Sequence, residues 1–399
     1  MTDGGARTEP VDIAVVGDCT LTTFDQNIVI PDHTYLHIFG KVTKTAVNDN
    51  FIINSDSVGG NVDIRVYGPG TVDGNVTSGS TGNNCLKFTN VTGLRVDGLN
   101  VKRSGQHCIA FDLCSDVMIT NNVCSNFGDD GITSLSSTDF VITGNECYTG
   151  RGTGTPLSCG IEVEDNSFAG IVSNNIIHGM TGSQKCIHNI VDPTANNYTL
   201  ANIVVTGNVC IGGANGITLQ QNDTDAPKFI GMVVTDNTII DSTGDAITVK
   251  NTNDSTIANN TISNSAGTGI STATGSGISL LGNTITTTGD HAISLFQTDA
   301  VTISGGSVTD AGGQAGATKN AVQVNDCNGV RVSFLTVTGG SGTNYTNRAV
   351  NWVGNNSGLL YATGIASNGI TQKGTGMVTN GDSVIGADGG NFDITNVSV

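Results

Sequence analysis

Aromatic side chains are scarce in this 399-residue chain, which holds one Trp, six Tyr and 12 Phe, and charged residues reach only 13 %. With 55 Gly in their place, the chain is short of the Ala, Leu, Glu and Lys that fill helices. That argues against helical bundles and doubly wound α/β folds. Basic residues are few as well. The 16 Lys plus Arg stand against 34 Asp plus Glu, a net charge of −18, which argues against direct binding to DNA or RNA. No apolar run approaches the roughly 18 residues of a membrane span. Residues 1–20 have neither the basic start nor the apolar core of a signal peptide, so an exported protein is expected to use another route or to have shed its leader. The ten Cys include no CxxC or His/Cys spacing for structural zinc.

What the chain does have is a repeat. The phrases ITNNV, VITGNE, IVSNNI, VVTGNV, VVTDNT, TIANNT and SLLGNT align on one Asn column: Asn122, Asn145, Asn175, Asn208, Asn237, Asn260 and Asn283. Three residues earlier each unit has an aliphatic, such as Ile119, Ile142 and Val172. Two residues later come Cys124, Cys147, Ile177 and Cys210, and a further column holds Ile132, Ile161, Ile187, Ile217 and Ile247. Two short β-branched strands per unit, alternating in and out, cannot bury an inward face alone and must stack on their neighbours. The spacing, the Asn at a turn and the lack of any helical stretch predict an all-β right-handed parallel β-helix of about 12 coils. The domain reading is a single solenoid over 1–399, with N-terminal coils and cap in 1–90, regular coils in 91–353, and last coils with a C-terminal cap in 354–399. The Asn ladder is expected at a tight, left-handed turn. Cys124, Cys147 and Cys210 share the inward column and are expected to be buried, inert thiols.

In such a fold, residues in one column lie one above another about 4.8 Å apart, so columns map the surface. Two residues before the second-strand Ile stand His107, Asp130, Cys159 and Lys185; one residue after it, pointing outwards, stand Ala110, Thr133, Glu162 and His188. Ionisable groups gather in these four units as His107, Asp129, Asp130, Glu162, Glu164, Lys185 and His188. Longer loops fall nearby, around Arg151 and in segments carrying Asp192, Tyr198, Asp223, Asp225 and Lys228. Loops beside a carboxylate-rich strand face would wall a groove. The candidate catalytic residues are Asp130, Asp129, Glu162, His188 and His107, with Lys185, Glu164, Arg151, Tyr148 and Tyr198 as substrate contacts and no metal ligand assigned.

The segment Gly128-Asp129-Asp130-Gly131-Ile132, within DVMITNNVCSNFGDDGI, resembles the Gly-Asp-Asp-Cys-Ile phrase of the polygalacturonase family of glycoside hydrolases. The resemblance implies a pectin-lyase-like β-helix, a sugar-active site, and Asp129 and Asp130 among the carboxylates that protonate the glycosidic oxygen and activate water. The family's other motifs are absent. Its Asn-Thr-Asp position reads Gln106-His107, its His-Gly position Cys159-Gly160, and the nearest approach to its Arg-Ile-Lys is Lys185-Cys186-Ile187-His188.

Three functions remain open at this stage. A polysaccharide hydrolase needs an acid and a carboxylate flanking a groove. A uronate lyase or C5 epimerase needs a Lys or His base and a cation, so Ca²⁺ is a conditional cofactor held by Asp129, Asp130 or Glu164, required only if the substrate is anionic. A non-catalytic adhesin or phage tail-spike module would only bind glycan, and the Ser/Thr/Asn/Gly-rich surface suits a trimeric spike. The expected partner is a polysaccharide, with no nucleic acid and no membrane span; a homotrimer and an extracellular or virion-associated location are the expected setting.

Overall fold

In the computed structural model the described residues are 9–22, 27–45, 50–77, 82–151, 158–191, 198–220, 228–312, 319–339, 346–354, 356–357, 361–363 and 366–368. Among them there is no helix, and the protein is an all-β parallel solenoid. It divides into two compact units, Met1–Ile190 and Val191–Val399.

In unit 1 the coils that carry the candidate site residues have three strands, one more than the sequence pattern suggests. They run Ser115–Thr120, Val123–Ser125 and Ile132–Leu135; then Thr138–Thr143, Glu146–Tyr148 and Cys159–Glu164; then Phe168–Ser173, Ile176–Met180 and Lys185–Ile190. The added break has a local cause. The residue just before each column Asn is left-handed, with φ of 54° at Asn121, 68° at Gly144 and 53° at Asn174. Asn and Gly enter that region at low cost, so the chain bends and one apolar run becomes two strands. The strained position is therefore the neighbour of the column Asn, whose own task is hydrogen bonding.

That task is a buried ladder. The backbone N–H and Nδ2 of Asn122 both donate to Asn145 Oδ1, at 2.9 and 3.0 Å, and Asn145 repeats the pair on Asn175 Oδ1 at 2.9 and 3.0 Å. Nδ2 of Asn122, Asn145 and Asn175 also donates to a main-chain carbonyl of the coil before: Val96, Ile119 and Ile142. The amides are saturated, which removes the cost of burying them. In unit 2, Asn208, Asn237, Asn260 and Asn283 form the same ladder.

The inward columns follow the expected register. Ile119, Ile142 and Val172 pair across parallel strands, as do Cys124, Cys147 and Ile177, and Ile132, Ile161 and Ile187. All nine are fully buried, and each of the seven Ile and Val contributes roughly 1.5–3 kcal/mol of hydrophobic stabilisation on leaving water. Every Cys is free, and all but Cys19 are buried. In unit 2 the strands Ile247–Asn253, Ile270–Ser276, Ile293–Asp299 and Lys319–Asn325 stack in the same parallel way. The residues expected to form the C-terminal cap fall mostly outside the described residues.

Candidate functional site

Strand alternation and register bring the acidic residues of unit 1 together. Thr133, Glu162 and His188 stand opposite one another on three successive strands, because Ile132, Ile161 and Ile187 beside them face the core. At the entry to the same strands, the Asp130 carbonyl accepts Cys108 N–H at 3.1 Å and Gly131 N–H reaches the Cys159 carbonyl at 3.1 Å. The turn that delivers Asp129 and Asp130 is thus pinned on both sides.

The sequence suggests a carboxylate-rich strand face beside loops that wall a groove; the structure buries half of its carboxylates. Asp130 is 0 % exposed, Glu162 4 % and His188 1 %. Asp129 and Glu164 are the half-exposed acids of the cluster. The reason is packing along the stack, since each outward side chain is covered by its neighbours one coil above and below. In a low-dielectric setting like this, charge must be shared or neutralised.

Two hydrogen-bonded chains do so. In the first, His107 Nδ1 lies 2.9 Å from Asp130 Oδ2, while the Thr133 hydroxyl donates to that oxygen at 3.2 Å and sits 3.0 Å from His107 Nδ1. Asp130 Oδ1 accepts the Cys159 backbone N–H at 2.8 Å and its thiol at 3.1 Å. In the second, Lys185 Nζ meets His188 Nε2 at 2.9 Å, and His188 Nδ1 meets Glu162 Oε1 at 2.9 Å. An ammonium can only donate, so Nε2 is the acceptor and Nδ1 carries the ring proton toward Glu162. One oxygen each from Asp130, Glu162 and Glu164 lies within 4.8 Å of the others, and the same holds for a ring nitrogen of His107 with one oxygen each from Asp129 and Asp130.

Acidities separate accordingly. Burial pushes Asp129 up to about 6, aided by the negative charge of Asp130. Burial would also lift Asp130, but its hydrogen bond and charge pairing with His107 outweigh that and hold it below the usual carboxylate range. Burial drives Glu162 well above its ordinary value, reinforced by the Asp130 charge and contact with Glu164. Burial, then the Lys185 charge, push His188 well down, which keeps the imidazole neutral. The cluster therefore sets an ionised Asp130 beside a neutral Glu162 and an Asp129 that keeps its proton up to about pH 6. Pairs of titratable groups driven apart in this way divide acid and base roles.

Of the residues singled out from sequence, His107, Asp129, Asp130, Glu162, Glu164, Lys185 and His188 are brought together. Tyr148 is not among them: it lies on Glu146–Tyr148, in the smaller sheet, with its ring stacked 5.2 Å from His178. Arg151 donates to the Asn126 and Ser104 carbonyls. Tyr198 belongs to unit 2, just ahead of Leu200–Ala201, and Lys228 is buried there. Asp192, Asp223 and Asp225 lie outside the described residues. Thr133, Ser158 and Cys159 are parts of the site that sequence reasoning passed over; Ser158 Oγ is 3.3 Å from Asp129 Oδ1. Thr133 and Cys159 sit in the very columns that pointed to their neighbours.

The fold is that of the pectin-lyase-like parallel β-helix proteins. Residues 188–326 match the family model for the periplasmic copper-binding protein NosD. No curated protein matches the sequence. Among solved structures, the pre-mature gene product 12 of bacteriophage phi29 is similar with a TM-score of 0.72 at 17 % identity, over 90 % of this chain and 52 % of that one. This chain thus spans about half the length of that protein. A mutant tailspike protein of E. coli bacteriophage HK620 in complex with a pentasaccharide has a TM-score of 0.65 at 10 % identity, over 88 % of this chain and 71 % of that one. A hyperthermoactive exopolygalacturonase from Thermotoga maritima has a TM-score of 0.51 at 13 % identity, over 82 % and 84 % of the two chains.

Proposed function

We propose that unit 1 is a polysaccharide-cleaving site of the glycoside hydrolase type. The observation that carries this reading is the different setting of two adjacent acids: Asp130 is buried against His107 Nδ1 at 2.9 Å and the Cys159 N–H at 2.8 Å, while Asp129 beside it is half-exposed, with its pKa pushed up to about 6 by burial. Acetal hydrolysis needs a proton for the departing oxygen and a carboxylate to activate water or stabilise the oxocarbenium ion. Asp129, half-exposed, delivers the proton to the glycosidic oxygen. Glu164, the other half-exposed acid, is the carboxylate that orients water. Buried Asp130 keeps Asp129 protonated, and the Lys185–His188–Glu162 chain holds a neutral Glu162 against it. The pentasaccharide in the HK620 tailspike complex and the exopolygalacturonase support a carbohydrate as the ligand of this fold. The same tailspike likeness supports an extracellular or virion-associated setting and a homotrimer.

A second reading has one observation in its favour. Asp130, Glu162 and Glu164 offer oxygens within 4.8 Å of one another, a donor set suited to Ca²⁺, which would replace the proton on Glu162 and favour uronate elimination or epimerisation. Incubation with a panel of neutral and acidic polysaccharides separates these. Reducing ends released without the ultraviolet absorbance of an unsaturated uronate, and unaffected by EDTA, support hydrolysis. Unsaturated products that need Ca²⁺ support the lyase. Glycan binding with neither product, and with no inversion at uronate C5 in the NMR spectrum of the recovered polymer, leaves an adhesin and overturns both.

A further inference from the structure

Unit 2 builds its own polar cluster at the turn into its strands. The register Ile247, Ile270, Ile293, Val322 stacks Asp245, Thr268, His291 and Asn320 two residues earlier, each at the mouth of its strand. Thr268 N–H donates to Asp245 Oδ1 at 2.8 Å, and Asn320 N–H donates to His291 Nδ1 at 2.9 Å. Because a backbone N–H occupies Nδ1, the neutral ring carries its proton on Nε2, which stands 3.5 Å from Asp290 Oδ1. Lys319 Nζ reaches that same oxygen at 3.1 Å. Gln323 Oε1 accepts both Asn320 Nδ2, at 2.7 Å, and Asn351 Nδ2, at 2.8 Å.

One atom is left over. Asn320 is 4 % exposed, yet its Oδ1 is buried without a hydrogen-bond partner, although its other polar groups are tied to His291 and Gln323. An orphaned buried acceptor of this kind carries an uncompensated desolvation cost, which a donor from outside would relieve. The rest of the cluster says what kind of donor. Lys319 against Asp290 disfavours a cation, and Asp245 with Asp290 disfavours an anion. What remains is an alternation of neutral and paired donors and acceptors, partly open through Asp290, whose side chain is 42 % exposed. Hydroxyl groups, each donor and acceptor at once, match that alternation.

We propose that Asp290, His291, Asn320 and Gln323 form a second, non-catalytic saccharide-binding site on unit 2, in which a sugar hydroxyl donates to Asn320 Oδ1 and a neighbouring hydroxyl bridges His291 and Asp290. The site shares its ligand class with the reading of unit 1 but none of its residues. The test uses the full chain with ¹⁵N-labelled histidine, titrated separately with maltotetraose, cellotetraose, chitotetraose and tetragalacturonate. The His291 resonance, assigned by its disappearance in His291→Gln, is expected to move with at least one of them. Asn320→Ala is expected to weaken that titration at least about five-fold, with the remaining His resonances unmoved as the check on folding. Asp130→Asn/Glu162→Gln is expected to leave it intact. A His291 signal that no oligosaccharide moves, or a midpoint unchanged in Asn320→Ala, overturns the site. Failure of the unit 1 reading shows differently, as polymers left uncleaved while His291 still titrates.

Discussion

His107 Nδ1 stands 2.9 Å from Asp130 Oδ2, and this contact decides which member of the adjacent Asp129–Asp130 pair keeps its proton. Two neighbouring carboxyls in one buried turn cannot both ionise freely. The imidazole and the Cys159 backbone N–H face Asp130, so Asp130 takes the charge, and Asp129, more open to solvent, is left as the acid.

Replacing Asp130 by Asn therefore changes more than a rate. With the neighbouring charge gone, the Asp129 pKa falls from about 6, and the alkaline limb of the pH–rate profile moves to lower pH. Turnover near neutrality is expected to drop roughly 10²-fold. A folded Asp130→Asn protein with an unshifted limb would show that Asp129 is not the proposed acid.

Glu162 is held neutral by burial and by Asp130, so its amide isostere should fit. Glu162→Gln keeps an acceptor for His188 Nδ1–H and a donor toward Asp130, and thermal melts are expected to show a change of less than about 1 kcal/mol. Glu162→Ala strips His188 of its partner and leaves a cavity, at a cost of about 2–4 kcal/mol. Equal losses from both variants would mean that Glu162 is ionised in the folded protein.

Stability should carry the mark of Asp129. Its folded pKa of about 6 lies above the ordinary carboxyl value of 3.8, so the folded state binds the extra proton. Its contribution is fully present below pH 3.8 and is lost as pH rises through about 6. Asp130, held low, acts oppositely, its contribution being present above its unfolded value and lost on acidification. Melting temperatures of wild type and Asp129→Asn from pH 3.5 to 7 are expected to converge at the acid end, once the effect of the substitution itself is subtracted, and to diverge in favour of the variant toward pH 6. Parallel curves would contradict the assignment.

The Asn ladder should be cooperative. Asn145→Ala removes the acceptor of two Asn122 bonds and the donors to Asn175 and Ile119, leaving buried polar groups unpaired. A loss of about 2–4 kcal/mol is expected in denaturant titrations. A loss within 0.5 kcal/mol, the range of an ordinary surface change, would mean that the ladder contributes little.

Thiol reactivity should follow burial. Cys19 is the exposed thiol, and the other nine are buried, so a native-state thiol reagent is expected to label one site quickly and nine only on unfolding. Burial raises Cys114 to about 11 and lifts Cys124 well above the ordinary thiol range, which suppresses the reactive thiolate. Fast labelling of Cys124, Cys147 or Cys210 would contradict the inward register.

What the sequence determined by itself was everything that repeats. The Asn column, the aliphatic columns and the inward Cys could be read because a parallel stack gives equivalent positions the same environment in every coil, so a local chemical requirement recurs as a periodic one. It also brought His107, Asp130, Glu162 and His188 into neighbouring columns, since column order is coil order. What repetition cannot encode was left to the tertiary structure. Whether an outward residue is wet or covered depends on its neighbours above and below, and so Asp130 and Glu162 turned out buried while Asp129 and Glu164 remained half-open. Which His nitrogen holds the proton, and which of two adjacent acids is charged, rests on contacts such as Lys185 to His188 and Cys159 to Asp130. The His188–Glu162 and Cys159–Asp130 bonds join residues twenty-six and twenty-nine apart in sequence, and only the closed coil brings them within bonding distance.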